Sequence, residues 1–180
     1  MRVISGKNRG QKLIEIEGQD IRPTTDRVKE AIFSMLFPFI DEETSVLDLF
    51  GGTGALAIEA LSRGAGHVVI VDQNRTSCDV ISKNLENTRN KSLATLETCD
   101  AISFLQKTDQ KFSIIFLDPP YNKGLISTSL SEIAKGHILK EDGIIVVERD
   151  HTEAAPVVVG LVILKEKKYG RTYITLYQND

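Results

Sequence analysis

Two runs in this 180-residue chain, Val68-Val69-Ile70-Val71 and Ile144-Ile145-Val146-Val147, carry no polar side chain at any position. A strand with one wet face alternates apolar and polar residues. A run that is apolar throughout suits a parallel strand buried on both faces. Parallel strands need crossover connections, and stretches of helical periodicity lie between the apolar runs. The pattern predicts strands near 45–50, 67–72, 93–98, 112–118 and 143–149. Helices are expected near 54–63, 75–89, 100–106 and 125–136. This alternation is that of a doubly wound α/β sheet. Residues 157–166 and 171–177 read as two more strands joined by a turn around Gly170. A mostly parallel sheet should therefore finish with an antiparallel hairpin.

Before the first strand, residues 2–5 and 11–16 read as short strands around Gly6 and Gly10, a small N-terminal β-hairpin. Arg22-Pro23-Thr24-Thr25-Asp26 opens a helix that Thr24 or Thr25 can cap, with Val28, Ala31, Ile32, Met35 and Leu36 as its apolar stripe. Pro38 ends it. The organisation expected is an extension over residues 1–20 and one domain over 21–180.

The run Phe112-Ser113-Ile114-Ile115-Phe116-Leu117 leads directly into Asp118-Pro119-Pro120-Tyr121. Neither proline can extend the strand, because each lacks an N–H and has a fixed φ. The result is a stiff turn whose carbonyls are free to accept hydrogen bonds, beside a carboxylate and a flat ring. Two acceptors next to a stacking surface suit a planar substrate with an exocyclic amino group. The plainer alternative is a rigid strand-to-loop corner with Tyr121 packed against it.

Upstream, Val46-Leu47-Asp48-Leu49-Phe50 runs into Gly51-Gly52-Thr53-Gly54 and then the helical Ala55-Leu56-Ala57. Glycines between strand and helix let backbone approach a ligand, and the helix start supplies free N–H groups. Gly52 to Ala57 satisfies G-x-G-x-x-A, and Asp72 ends the next strand, close to a dinucleotide fingerprint. Asp48 argues for a different nucleoside: a carboxylate there repels a pyrophosphate and attracts an amino group. Asp72 can accept both ribose hydroxyls, and Asp100, at the end of the third strand, can read an adenine amino group. S-adenosyl-L-methionine, an amino acid fused to adenosine with no phosphate, matches all three. Gln73 and Ala101 adjoin these carboxylates, and Asp118 faces the same ligand. Each strand-end Asp also has a purely structural use, as the cap of the following helix.

Net charge is −3, yet basic residues cluster. Arg2, Lys7, Arg9 and Lys12 crowd the first 14 residues without an acid among them; Lys165, Lys167, Lys168 and Arg171 crowd the C-terminal hairpin against Glu166. These read either as RNA-backbone contacts, with Arg22 and Arg27 added, or as solvated surface charge. His67, His137 and His151 have no metal-ligand spacing, and Cys78 and Cys99 read as reduced thiols of a cytoplasmic protein. No apolar run reaches 18 residues and the N-terminus lacks a signal-peptide core, so no membrane contact is expected.

With these motifs in hand, the chain resembles the class I methyltransferases, and among them the amino-methyltransferases carrying [N/D]-P-P-[Y/F]. The resemblance narrows to the RsmD family on several blocks. They are Met1-Arg2-Val3-Ile4-Ser5-Gly6, Arg22-Pro23-Thr24-Thr25-Asp26-Arg27-Val28-Lys29-Glu30, the glycine turn with Glu59-Ala60-Leu61-Ser62-Arg63-Gly64-Ala65, Asp118-Pro119-Pro120-Tyr121, and Tyr169-Gly170-Arg171-Thr172. It implies methylation of the exocyclic N2 of one guanine in 16S rRNA of the small ribosomal subunit or an assembly intermediate. It also implies closure of Thr24-Thr25-Asp26 over the cofactor. Two positions depart from the family: Gly51-Gly52-Thr53-Gly54 stands where Ala-Gly-Ser-Gly is common, and Arg171 where Asp is usual. The chain is expected to act as a monomer without a metal. DNA adenine-N6 and protein glutamine-N5 methylation use related chemistry and are the competing readings.

Overall fold

Consecutive residues of the central strands point into two different cores, which is why those strands are apolar at every position. Val46, Val68, Ile70 and Ile114 pack in one cluster, and Leu47, Val69, Val71 and Ile115 in the other. The computed structural model describes residues 1–16, 26–120 and 124–180. In chain order the helices and strands are α1 (Asp26–Leu36), β1 (Ser45–Asp48), α2 (Ala55–Ser62), β2 (His67–Val71), α3 (Arg75–Asn87) and β3 (Ala94–Glu97). There follow α4 (Ala101–Leu105), β4 (Phe112–Leu117), α5 (Leu125–Lys135), β5 (Leu139–Asp150), β6 (Leu161–Tyr169) and β7 (Thr172–Asn179). They build a seven-stranded sheet of order β3-β2-β1-β4-β5-β7-β6. Pairs from β3 to β5 are parallel; β5–β7 and β6–β7 are antiparallel. The doubly wound, mostly parallel sheet with a closing hairpin is thus observed.

Helices α1 and α2 supply Ile32, Phe33, Ala57 and Leu61 to the first core, while α5 supplies Ile126, Leu130 and Ile133 to the second. Some boundaries differ from the sequence pattern. Strand β6 starts at Leu161 rather than 157, because Gly160 sits at φ 88, where the strand direction breaks. Strand β5 starts earlier, at Leu139. On α1 the buried face is Val28, Lys29, Ile32, Phe33 and Leu36, so Phe33 and a lysine join the expected stripe, while Met35 packs half-buried against the core and Ala31 is half-buried. The expected caps Thr24 and Thr25 lie outside the described residues.

The N-terminal strands reduce to one antiparallel bridge, Arg2–Lys12, extended by Val3 N–H to the Gln11 carbonyl at 2.9 Å and Leu13 N–H to the Met1 carbonyl at 3.1 Å. Residues 1–16 do not stand apart from the domain: Val3 and Leu13 belong to the first core. The boundary expected at residue 20 falls in the undescribed stretch 17–25. Glu59, wholly buried on α2, anchors the segment by accepting the N–H groups of Ile4 (2.8 Å) and Ser5 (3.0 Å). The same carboxylate meets Arg63 Nε at 2.8 Å and Lys29 Nζ at 3.7 Å. Burial lowers the Lys29 pKa, and the neighbouring Glu59 charge opposes that shift. Gly6 has φ 82, and a Cβ there would come within 1.8 Å of the Ser62 carbonyl oxygen, so only glycine permits this approach.

Candidate functional site

The order in which strands are added to the sheet reverses between the parallel strands β1 and β4. From β1 the chain winds outward through β2 and β3; from β4 it winds the other way through β5 to the hairpin. Open α/β sheets bind ligands at such a switch point, beyond the C-terminal strand tips. Strands β1 and β4 pair from Val46–Ile114 to Asp48–Phe116, and Leu49 N–H donates to the Phe116 carbonyl at 3.2 Å. Asp48 and Asp118 therefore end neighbouring strands. Asp118 is half-buried, Pro119 buried and Pro120 exposed. Tyr121 lies outside the described residues, as do Arg22, Thr24 and Thr25.

Asp48 is only 2% exposed and accepts the backbone N–H groups of Ala57 and Phe50. Burial pushes its carboxyl up to about 7, the Asp72 charge adds to the rise, and the two N–H donors oppose it. A carboxyl so desolvated, beside a ligand crevice, is suited to an incoming ammonium. After it the chain turns on glycine. Gly51 N–H donates to the Val71 carbonyl (2.9 Å) and Gly54 N–H to the Gly51 carbonyl (2.7 Å). Gly52 and Gly54 have φ 56 and 76. A Cβ on Gly51 would meet Ile70 Cγ2 at 2.5 Å. Gly54 caps α2 without a side chain, which leaves N–H groups of its first turn to a ligand carboxylate. Phe50 is half-buried against the second core.

Asp72, just past β2, braces this turn: Oδ2 accepts Gly52 N–H at 2.9 Å and Oδ1 accepts Asn74 N–H at 2.8 Å. Each oxygen keeps a further lone pair for a ribose hydroxyl. Gln73 beside it is exposed. Asp100 does cap α4, accepting Ser103 N–H at 2.9 Å through Oδ2. Its Oδ1 remains for a ligand, with Ala101 buried beneath. Three carboxylates in a row along β1, β2 and β3, with a glycine cradle between the first two, fit an amino acid joined to a nucleoside. Among the described residues no group of three or more His, Cys, Asp or Glu side chains could hold a metal ion. No helix there is long and apolar enough to cross a membrane.

Asn84 is a site residue that sequence reading missed. It is wholly buried on α3 and donates to the Thr53 carbonyl (2.9 Å) and the Ile14 carbonyl (3.0 Å), while its Oδ1 accepts Ile14 N–H at 2.7 Å. It ties the N-terminal segment to the glycine turn. Its only mark in the sequence is a polar residue on the apolar face Val80, Ile81, Leu85.

The basic residues separate into two places. Lys7 and Arg9 are exposed on a turn beside the C-terminal ends of α2 and α3, where Lys7 N–H donates to the Ser62 carbonyl and Asn8 Nδ2 to the Thr88 carbonyl. That is the far end of α2 from the glycine turn, about 12 Å for eight residues. Arg2 and Lys12 lie between, with Arg2 Nε 3.4 Å from Asp26. Arg27, Lys167, Lys168 and Arg171 lie at the strand-tip end, all exposed.

The switch-point crevice, its glycine turn and its row of carboxylates belong to a class I, S-adenosylmethionine-dependent methyltransferase. The sequence model of the family described as "Conserved hypothetical protein 95" matches residues 1–178, and the chain belongs to that family, the RsmD family. Ribosomal RNA small subunit methyltransferase D of Haemophilus influenzae is 34% identical, the match covering 99% of this chain and 94% of that one. The Escherichia coli protein of the same name is also 34% identical, over 100% and 90%. Among solved structures, yhhF from Escherichia coli superposes with a TM-score of 0.91 at 32% identity, covering 100% of this chain and 98% of that chain. TrmN from Thermus thermophilus, at 17% identity and a TM-score of 0.68, shares the fold over 85% of this chain and 48% of its own.

Proposed function

We propose that this protein methylates the exocyclic N2 of one guanine in 16S rRNA, within the small ribosomal subunit or an assembly intermediate. The observation that carries the reading is the pairing of β1 with β4, which supports it because Asp48 and Asp118 then end neighbouring strands. The RNA substrate is supported by two relatives named for small-subunit rRNA methylation that match over nearly their whole length.

S-adenosylmethionine, when bound, supplies a methyl group made electrophilic by its sulfonium. Asp48 accepts from the amino group, and the first turn of α2 after Gly51, Gly52, Thr53 and Gly54 receives the carboxylate. Asp72 accepts the ribose hydroxyls, and Asp100 the adenine amino group, with Phe50, Gln73 and Ala101 as neighbours. The guanine swings out of its stack, at a few kcal/mol, and stacks on Tyr121, which returns about 1–3 kcal/mol. The Asp118 carboxylate and Pro119 carbonyl accept its two amino N–H bonds. That holds the nitrogen with its lone pair turned from the ring toward the methyl. Pro120 keeps the turn stiff. Positioning and charge do most of the catalysis. Arg27, Lys167, Lys168 and Arg171 contact the RNA near the crevice. Lys7 and Arg9 reach a more distant part of the particle, with Arg2 and Lys12 between.

The test is transfer of tritiated methyl from S-adenosylmethionine to small subunits from a strain lacking its family enzyme, followed by nucleoside analysis. N2-methylguanosine at one 16S position is expected. Label on DNA adenine or protein glutamine, and none on subunits, rejects the assignment.

A further inference from the structure

Strand β5 is apolar from Ile144 to Val147 and then sets a carboxylate, Glu148, into the sheet with only 6% of its surface exposed. No part of the cofactor site described above uses it. Its surroundings follow from the register. Leu117 of β4 is level with Val147 of β5, so the next residues, Asp118 and Glu148, are neighbours on adjacent strands about 5 Å apart. Side chains alternate along both strands: Phe116 and Val146 pack in the first core, Leu117 and Val147 in the second. Asp118 and Glu148 therefore share the face of the first core. On its other side Glu148 is level with Ile174 of β7, a buried apolar residue. Arg149, next along β5, is on the opposite face, where it bonds Glu166 and Thr175. A buried carboxylate between an isoleucine and another carboxylate gains nothing from either cross-strand neighbour. The same pair of acceptors is well placed for a ligand with two adjacent donors.

We propose that Glu148 selects guanine as the target base, by accepting its N1–H while Asp118 and the Pro119 carbonyl hold the amino group. The assignment rests on the guanine reading above and extends it to specificity. Enzymes that flip a base read it on its Watson–Crick edge. On that edge guanine carries N1–H directly beside its 2-amino group, a run of donors that two neighbouring carboxylates match. Adenine has a lone pair at N1, which a carboxylate repels. An ionised carboxylate has about four acceptor positions, so a bond to the base leaves room for bonds within the protein. A site built to accept a donor strongly rejects an analogue without it, because that bond then goes unmade away from water.

The experiment uses small subunits reconstituted with either guanine or 2-aminopurine at the target position. 2-Aminopurine keeps the 2-amino group and has a lone pair at N1. For wild type and Glu148→Gln, kcat/KM for methyl transfer is measured on both. Wild type should prefer guanine by about 100-fold or more. Glu148→Gln, whose amide can donate to the 2-aminopurine N1, should narrow that preference to below about 10-fold, mainly by losing rate on guanine. Its S-adenosylmethionine affinity should match wild type. Both rates come from one preparation, so their ratio does not depend on the fraction folded. Wild type that methylates both bases equally overturns the assignment. So does Glu148→Gln that loses both in the same proportion, which makes Glu148 a structural residue. In either case methylation of guanine by wild type keeps the functional reading intact. Wild type that binds S-adenosylmethionine and methylates neither base defeats that reading, and the role of Glu148 with it.

Discussion

Replacing Asp48 by Asn tests the electrostatics of the cofactor site without cofactor present. In the folded protein the carboxyl titrates at about 7, against 3.8 for the ordinary side chain. Below the lower value both states bind the proton. Between the two, the unfolded chain releases it and the folded chain keeps it, so stability falls as pH rises. The loss is complete above the folded value. At 1.36 kcal/mol per unit, a gap of about three units amounts to about 4 kcal/mol by pH 8. Asn has the same shape and does not titrate. It forfeits part of the bonding to the Ala57 and Phe50 N–H groups, a loss of about 1–3 kcal/mol that does not vary with pH. Urea unfolding at pH 5, 6, 7 and 8, followed by circular dichroism since the chain has no Trp, measures both terms. The difference between wild type and Asp48→Asn should shift in the variant's favour by up to about 1.4 kcal/mol per pH unit, then level off above neutrality. Parallel curves across that range would refute the argument. Calorimetric titration adds an independent check. A bound ammonium keeps Asp48 ionised, so wild type at pH 6 should release about 0.9 proton per S-adenosylmethionine, and the variant should release none from this group.

The other expectations are local. Asp118→Ala should lower methyl transfer at least about 100-fold with cofactor affinity largely unchanged, whereas collapse of cofactor binding would show that Asp118 mainly holds the cofactor. Gly51→Ala forces a Cβ against Ile70 and Ile81, and a urea midpoint equivalent to about 1–3 kcal/mol of destabilisation should record it. Glu59→Ala leaves the buried Lys29 with the Arg2 carbonyl but no carboxylate beside it and removes the acceptor of Ile4 and Ser5, so unfolding free energy should drop by about 3–5 kcal/mol. The double variant Lys29→Met, Glu59→Leu should recover only part, since the two N–H groups still lack an acceptor. Asn84→Asp turns a donor to two carbonyls into a charge facing them. Limited proteolysis should then cut the N-terminal segment at protein concentrations and times that leave wild type intact.

Much of this protein is determined by sequence alone, because the interactions concerned are local. Strands buried on both faces must be apolar throughout, so Val68–Val71 and Ile144–Val147 declare a parallel sheet. Glycine at φ 56 and 76, and prolines that end a strand, mark the turns at Gly51–Gly54 and Asp118–Pro120 wherever the chain folds. Strand-tip aspartates then imply a cofactor without phosphate. Pairing across the chain is a different matter. That Glu59 would hold the backbone of Ile4 and Ser5, that Lys29 would be drawn into the core beside it, and that Asn84 would join Ile14 to Thr53 follow from contacts between elements distant in sequence. Each polar group there is legible only as a surface residue until its partner arrives. The basic residues show the same limit. In sequence Arg2, Lys7, Arg9 and Lys12 are one cluster. The packing of their turn on α2 sends Lys7 and Arg9 to the far end from the cofactor turn, while Arg27 on α1 meets the β6–β7 hairpin. A charge is readable from sequence, but what it faces is decided by the tertiary fold, because only chain packing brings distant segments within the few ångströms over which hydrogen bonds and desolvation act.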